Sequence, residues 1–406
     1  MSVVHLDLSR HATFANGFPH DYFRWLRDNA PVFWHEPTEH TPGGEGFWVV
    51  TRYDDVKAIQ GDPATFSSET GGHRTLGGTA INDDSSAGRA LNATDDPKHQ
   101  MLRGVVMKGF TLQAVAALED EMRQRVNALI DRFPEDEPFD FVAAFAREVP
   151  SQAICMVLGV PEEDRGALCE WVDLGVSTAT GQIIAGDYAH RIIDYGMTLV
   201  EEKRRTPKPD ILSAIVHARN DTGAPLSDAE LRNFFLLLFA AGAETTRSAL
   251  AGGLKALIEH REQLERLRSD MRLLKGAIEE IVRWTTPSIY KRRTATRDTV
   301  FGGKRMKAGD KVTFWEMSAN RDERCFERPF AFDIARTPNP HLGFGYGIHV
   351  CLGSMLARME MRTGFEELFR RIAALELAGD PDWMPSNRLL GIRYMPVRIS
   401  GKDFAP

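Results

Sequence analysis

The chain has 406 residues, 43% of them hydrophobic and 26% charged, with a formal net charge of -7. That length buries a large core, and the acidic balance argues against a general nucleic-acid binder, which needs excess basic charge to displace phosphate counterions. The four cysteines, Cys155, Cys169, Cys325 and Cys351, are too few and too scattered for a disulfide framework and form no CxxC pair, so a reducing cytoplasm is expected.

Residues 1–10 carry Asp7 and Arg10 and lack the apolar run of an export signal. No repeat or long linker divides the chain, which favours one domain over 1–406. Gly46 to Arg52 reads as a strand leading into a short helix from Tyr53. Thr70 to Ala93, rich in Gly, Ser, Thr and Asp without periodicity, reads as a mobile loop. From Gln113 to Phe133, and then in blocks to Asn220, apolar residues recur at helical spacing.

Ser227 and Glu230 make a capping box, after which a helical pattern runs toward His260. Its longest apolar run, Phe234 to Ala243, is about half of what a membrane span needs, so no span is expected. Within it, Ala241-Gly242-Ala243-Glu244-Thr245-Thr246 sets an acid beside a hydroxyl in apolar surroundings. Burying that pair is costly unless it is hydrogen-bonded. A threonine bonding back one turn opens the helix ladder, and Gly242 leaves room, which yields a polar notch able to hold dioxygen and water.

Further helices are expected over Asp270 to Trp284, carrying Glu280 and Arg283 three residues apart, and over Ser354 to Ile372; Lys311 to Trp315 and Tyr394 to Ile399 read as strands. The fold class is mainly α with small β-sheets. Between these elements lies Phe344-Gly345-Tyr346-Gly347-Ile348-His349-Val350-Cys351-Leu352-Gly353, just ahead of a helix. Gly345 and Gly347 permit a tight loop that aims N–H groups at the Cys351 sulfur. The following helix adds its positive end and favours thiolate. Gly353 leaves space for a flat macrocycle, and Phe344 shields the sulfur. A structural cysteine needs no such pattern, and a Rossmann loop fails for want of a third glycine and a preceding strand.

This loop resembles the heme-binding signature of the cytochrome P-450 family, FxxGxHxCxG, at every defined position. The resemblance extends from about His99 to the C-terminus. It implies the cytochrome P-450 fold, a triangular α-rich prism with heme b between the long helix and the helix after Cys351. Cys351 would be the iron ligand, with Phe344, Gly345, Gly353 and Ala241 close to the cofactor. Glu244 and Thr245 would deliver protons to iron-bound oxygen. His99, Arg103, His349 and Arg293 match propionate-binding positions, Arg293 being preferred to Arg292, which points to the other face of an extended segment. Glu280 and Arg283 match the ExxR pair, whose third partner is expected near Asn320-Arg321-Asp322 and Phe330 to Asp333.

The resemblance further implies a monooxygenase fed with electrons from NAD(P)H by a separate ferredoxin and ferredoxin reductase, using O2 and a hydrophobic small molecule. Leu238, Ala241, Ile289, Ile392 and Met395 would line the substrate pocket. Steroid, terpenoid or lipid-like substrates are favoured, with tailoring of a polyketide or peptide natural product as the alternative. Peroxide-driven heme chemistry and a heme sensor are the alternatives of another class.

Overall fold

The structure, a computed structural model, describes residues 5–175, 186–220 and 223–402. The helical blocks expected up to Asn220 cross 176–185, which lie outside the described residues. Its centre is the helix Asp228–Glu259, 32 residues long. Ser227 starts it as expected: its hydroxyl accepts from the Glu230 N–H while its own N–H donates to the Glu230 carboxylate at 2.9 Å. Apolar residues on most sides bury it among Glu148–Leu158, Gly186–Arg205 and Leu274–Thr285. By length and composition it could cross a membrane, but 72% of its apolar window is buried in the fold.

Glycines set how closely its neighbours approach. A Cβ on Gly253 would stand 2.7 Å from Ile281, and one on Gly242 would meet Ile154 at 3.0 Å. Gly242 therefore serves helix packing against Glu148–Leu158 and also lines the cavity beside the acid and hydroxyl. The expected helix over Gln113 to Phe133 is two, Leu112–Ala116 and Glu119–Asp131. The second begins on three acids, Glu119, Asp120 and Glu121, where the helix dipole favours negative charge.

The strands make four small sheets. The largest orders Val32–His35, Phe47–Val50, Lys311–Phe314, Lys291–Ala295 and Phe66–Ser67, antiparallel except for the central pair, where Trp48 lies beside Val312. A second joins Phe139–Asp140, Pro396–Lys402 and Ile372–Leu377. Two hairpin-like pairs complete the set. The helix Ser354–Arg371 runs between the long helix and Glu119–Asp131, so the loop at its start is held deep against the core.

Thr70 to Ala93 has no regular element before the short turn Leu91–Ala93, as its composition indicates. It is nevertheless fastened. Residues 77–81 are buried, and the Arg292 guanidinium donates to Gly77 O, Asn82 O and the Asp83 carboxylate at 3.2, 3.2 and 2.7 Å. A buried arginine bonded to backbone carbonyls is a clamp, which a composition-based reading of a mobile loop misses.

Candidate functional site

Around Cys351 the chain turns through Gly345 and Gly347, both at φ +73°. A Cβ on Gly347 would lie 2.4 Å from the Gln60 carbonyl oxygen, so glycine there allows both the turn and the close seat on helix Tyr53–Gly61. The Cys351 N–H donates to Phe344 O at 2.8 Å, closing the loop. Phe344 is held from behind by Arg358, whose guanidinium carbon is 4.3 Å from the ring centre. The sulfur lies deep in the fold, with its free surface opening on a cavity.

Burial pushes the Cys351 thiol up, against the Gly353 N–H and the charges of Lys291, Arg103 and Arg358. The Gly353 N–H bonds the sulfur, and desolvation outweighs it. A bound metal would reverse the balance, because coordination deprotonates a thiol outright.

One end of that cavity is cationic: His99, Arg103, Lys291, Arg293 and His349 share its wall. Arg103 donates to Val350 O at 2.8 Å, and His349 Nε2 stands 3.0 Å from Ser68 Oγ. The His99 and His349 rings are 4.3 Å apart. His99 is 2% exposed, with Nδ1 against Asp96 and Nε2 without a hydrogen-bond partner among the described residues. Burial, then Arg293, His99, Arg103 and Lys291, pushes His349 down to about 2, and burial brings Arg293 to about 10 despite Asp95 and Glu316. With His349 neutral and Lys291 already paired to Glu316, Arg103 and Arg293 are the cations left facing the cavity from this wall, and they favour an anion there. Arg292 faces away into the 77–83 loop. Lys291 has no motif to mark it in the sequence, although two residues before Arg293 on one strand it shares the same face.

The opposite wall comes from the long helix. Thr245 donates its hydroxyl to Ala241 O at 3.0 Å, one turn back, and Ala241, Thr245 and Thr246 all line the cavity. Glu244 does not. It is 2% exposed and its Oε1 lies 3.3 Å from Arg247 Nη1, behind the wall. Leu238 lines the cavity with Leu91, Phe110, Ile154, Leu237 and Leu389.

Three expected pocket residues are elsewhere. Ile289 packs at 0% exposure in the N-terminal core with Tyr290 and Trp315, because Ser288, one residue earlier in the extended segment, takes the cavity side. Ile392 and Met395 are buried in the main core, where Met395 N–H donates to Asp140 and its carbonyl accepts from Phe141. That strand end is turned inward, and Arg388 and Leu389 reach the cavity in its place.

Next to this site, Glu280 and Arg283 form a fully buried pair bonded twice at 2.7 Å. The third partner is Arg336, at 3.1 Å from Glu280. It lies just past the stretches expected to supply it. Arg321 instead donates to the carbonyls of Arg283 and Trp284.

These residues fit a heme. The cavity offers a sulfur ligand, a slot beside Gly353 where a Cβ would meet nothing within 4 Å, and a cationic end holding a buried, partnerless imidazole nitrogen for the propionates. Residues 184–396 match the family model described as cytochrome P450. The chain is 48% identical over 98% of its length, and 98% of the other, to cytochrome P450 126 of Mycobacterium tuberculosis. It is 39% identical to a methyl-branched lipid omega-hydroxylase of the same species, over 93% of this chain and 90% of that one. A Mycobacterium marinum cytochrome P450 solved in complex with pseudoionone superposes at TM-score 0.87 with 34% identity, covering 98% of this chain and 100% of the other. Signature, cavity and full-length similarity agree: the chain belongs to the cytochrome P450 family and is a heme-dependent monooxygenase.

Proposed function

We propose that the chain acts in the cytoplasm as one domain over 1–406 and oxygenates an apolar molecule, with steroids, terpenoids and lipids favoured. The observation that carries this reading is the cavity itself, with the Cys351 sulfur on one side, the Thr245 notch on the other and aliphatic or aromatic side chains between. The relative named for methyl-branched lipid hydroxylation and the neighbour solved with pseudoionone support the substrate class.

Cys351 would ligate the heme, Phe344, Gly345 and Gly353 would bed it, Ala241 would cover it, and His99, Arg103, Arg293 and His349, joined by Lys291, would hold its propionates. Once bound, the heme supplies dioxygen binding and its reductive cleavage. Two electrons come from NAD(P)H through a separate ferredoxin and ferredoxin reductase; one oxygen atom enters the substrate and the other leaves as water.

The protein's own work is positioning and proton handling. Leu237, Leu238, Ile154 and Phe110 exclude water and hold an apolar substrate by contact area. Thr245, fixed by its bond to Ala241 O, orients a hydrogen-bond donor into the cavity. Glu244 supplies protons behind it and reaches the cavity only by leaving Arg247.

The test is product formation from NADH with surrogate ferredoxin and reductase, alongside optical titration against a metabolite panel. Sterols, terpenoids or branched fatty acids should expel ferric-bound water and give the low-to-high-spin shift more readily than amino acids or sugars of similar size. High-spin shifts confined to polar compounds would overturn the substrate class. Turnover driven by peroxide alone, or no turnover, would overturn the electron-transfer scheme.

A further inference from the structure

Away from the propionate residues, the cavity has a second cationic feature. Arg388 reaches it from the turn Ser386 to Leu389, whose backbone is pinned from both sides. Ser386 Oγ accepts from the Arg388 and Leu389 N–H groups at 3.2 Å each, and the Ile289 N–H donates to Arg388 O at 3.1 Å. The buried Asn387 amide donates to Ser9 O at 2.9 Å. The Arg388 guanidinium donates to Thr79 Oγ1 at 3.2 Å, and Thr79 is fixed in turn by the Arg292 N–H, which donates to Thr79 O at 3.0 Å. Ser288, bridged to Leu389, brings a further hydroxyl to the same cavity.

A charge set among apolar side chains costs free energy that an anion offsets. The two propionates of a heme match Arg103 and Arg293, and Lys291 is paired to Glu316, so the cofactor does not need the charge of Arg388. Glu360 is the single acid among the described lining residues; it stands on the helix after Cys351, and burial holds it toward its neutral form. A guanidinium is a planar fork that meets a carboxylate with two N–H groups on two oxygens, a fit that an alcohol, a ketone or an ester does not reproduce.

Resting on the monooxygenase reading above, we propose that Arg388 is a specificity-determining residue and that the substrate is an apolar carboxylic acid. Its carboxylate is held by the Arg388 guanidinium beside Thr79, and its hydrocarbon body lies against Ile154, Leu237 and Leu238. Among steroids, terpenoids and lipids, this selects the acids over their esters, alcohols and ketones. The bonds that pin the turn hold Arg388 in place before the substrate arrives, which lowers the ordering cost of binding.

Farnesoic acid, methyl farnesoate and farnesol share one branched chain and differ at the head group. In optical spin-shift titrations of the heme-loaded protein at neutral pH, the acid should have a dissociation constant roughly tenfold or more below those of the ester and the alcohol, the scale of hydrogen bonds to a charged group. Arg388→Leu should remove that preference, so that acid and ester converge, and Arg388→Lys should keep part of it, because a point charge lacks the fork. No preference for the acid in the wild type, or a preference that survives in Arg388→Leu, overturns the anchor. Loss of heme from a folded Arg388→Leu also overturns it, by assigning the guanidinium to a propionate. If Arg388→Leu fails to fold, Arg388→Gln, which keeps a hydrogen-bonding side chain without the charge, decides by the same criterion. Acid-selective binding with no product from NADH and surrogate redox partners sinks the monooxygenase reading and leaves the anchor standing; oxygenation of acid and ester alike with equal binding does the reverse.

Discussion

Two buried charge clusters flank the cavity, and they are built on opposite plans. In the Glu280 cluster every lone pair is used: Oε1 and Oε2 accept from Arg283, Arg336, Asn339 and the Asp333 N–H, all within 3.2 Å. Arg283 spends its remaining N–H groups on the carbonyls of Asn320, Pro329 and Ala331. In the His99 cluster, Arg103, Lys291 and Arg293 line one wall beside two imidazoles, one imidazole nitrogen has no partner among the described residues, burial and neighbouring cations keep His349 neutral, and burial lowers Arg293. A closed cluster stabilises the fold. An open one demands a ligand.

The contrast is broken most severely at Arg283. Arg283→Ala leaves the Glu280 charge buried with two of its five bonds gone, at about 3–5 kcal/mol, a large share of a typical domain's stability. Little folded protein and no heme binding are expected, read from soluble yield and heme content. Normal heme loading would show the cluster to be dispensable.

Cys351→Ala should spare the fold, because the loop closes through the backbone bond from residue 351 to Phe344 O and through the seat of Gly347 on Gln60. It should abolish the strongly red-shifted band of the reduced carbon monoxide complex. A variant that keeps the band would remove Cys351 as the ligand. Thr245→Ala acts later still: substrate binding stays near normal while NADH is diverted to peroxide. Product formed per NADH consumed is the measure, and unchanged coupling would remove the hydroxyl from the proton path.

Legibility in the sequence divides between local chain and returning chain. The cysteine loop is legible because its ten residues carry their own geometry, two positive-φ glycines and a helix start. The capping box of the long helix and the strand alternation that separates Arg293 from Arg292 are likewise local. Arg336 is not, since it meets Glu280 only after the chain returns from 56 residues away. Ile289, Ile392 and Met395 fall outside the pocket because hydrophobicity says that a side chain is buried, not which of two cavities or cores it faces. Glu360, a buried acid in the cavity wall, does carry a local signal: one turn after Leu356 and one turn before Gly364, it lies on the buried stripe of its helix.

The smallest effect sharpens the comparison from the outer side of the closed cluster. His20 starts the helix His20–Asn29, its ring 5.7 Å from that of Phe330. Burial, then Arg321, Arg27 and Arg24, lowers it from 6.5 to about 3. A histidine lowered on folding binds its proton more readily in the unfolded chain, so its contribution is present above pH 6.5 and is lost as pH falls toward 3. The slope is at most about 1.4 kcal/mol per pH unit, and it is best read above about pH 5, before carboxylates titrate. His11, His35, His99 and His349 are lowered too and act with the same sign, so only a difference isolates His20. His20→Gln cannot take up the proton. Its unfolding midpoint should match the wild type near neutrality and fall less steeply between pH 6.5 and about 5. Parallel curves would mean that His20 is solvated enough to charge in the folded protein, and that positive charge beside Arg321 costs the closed cluster nothing.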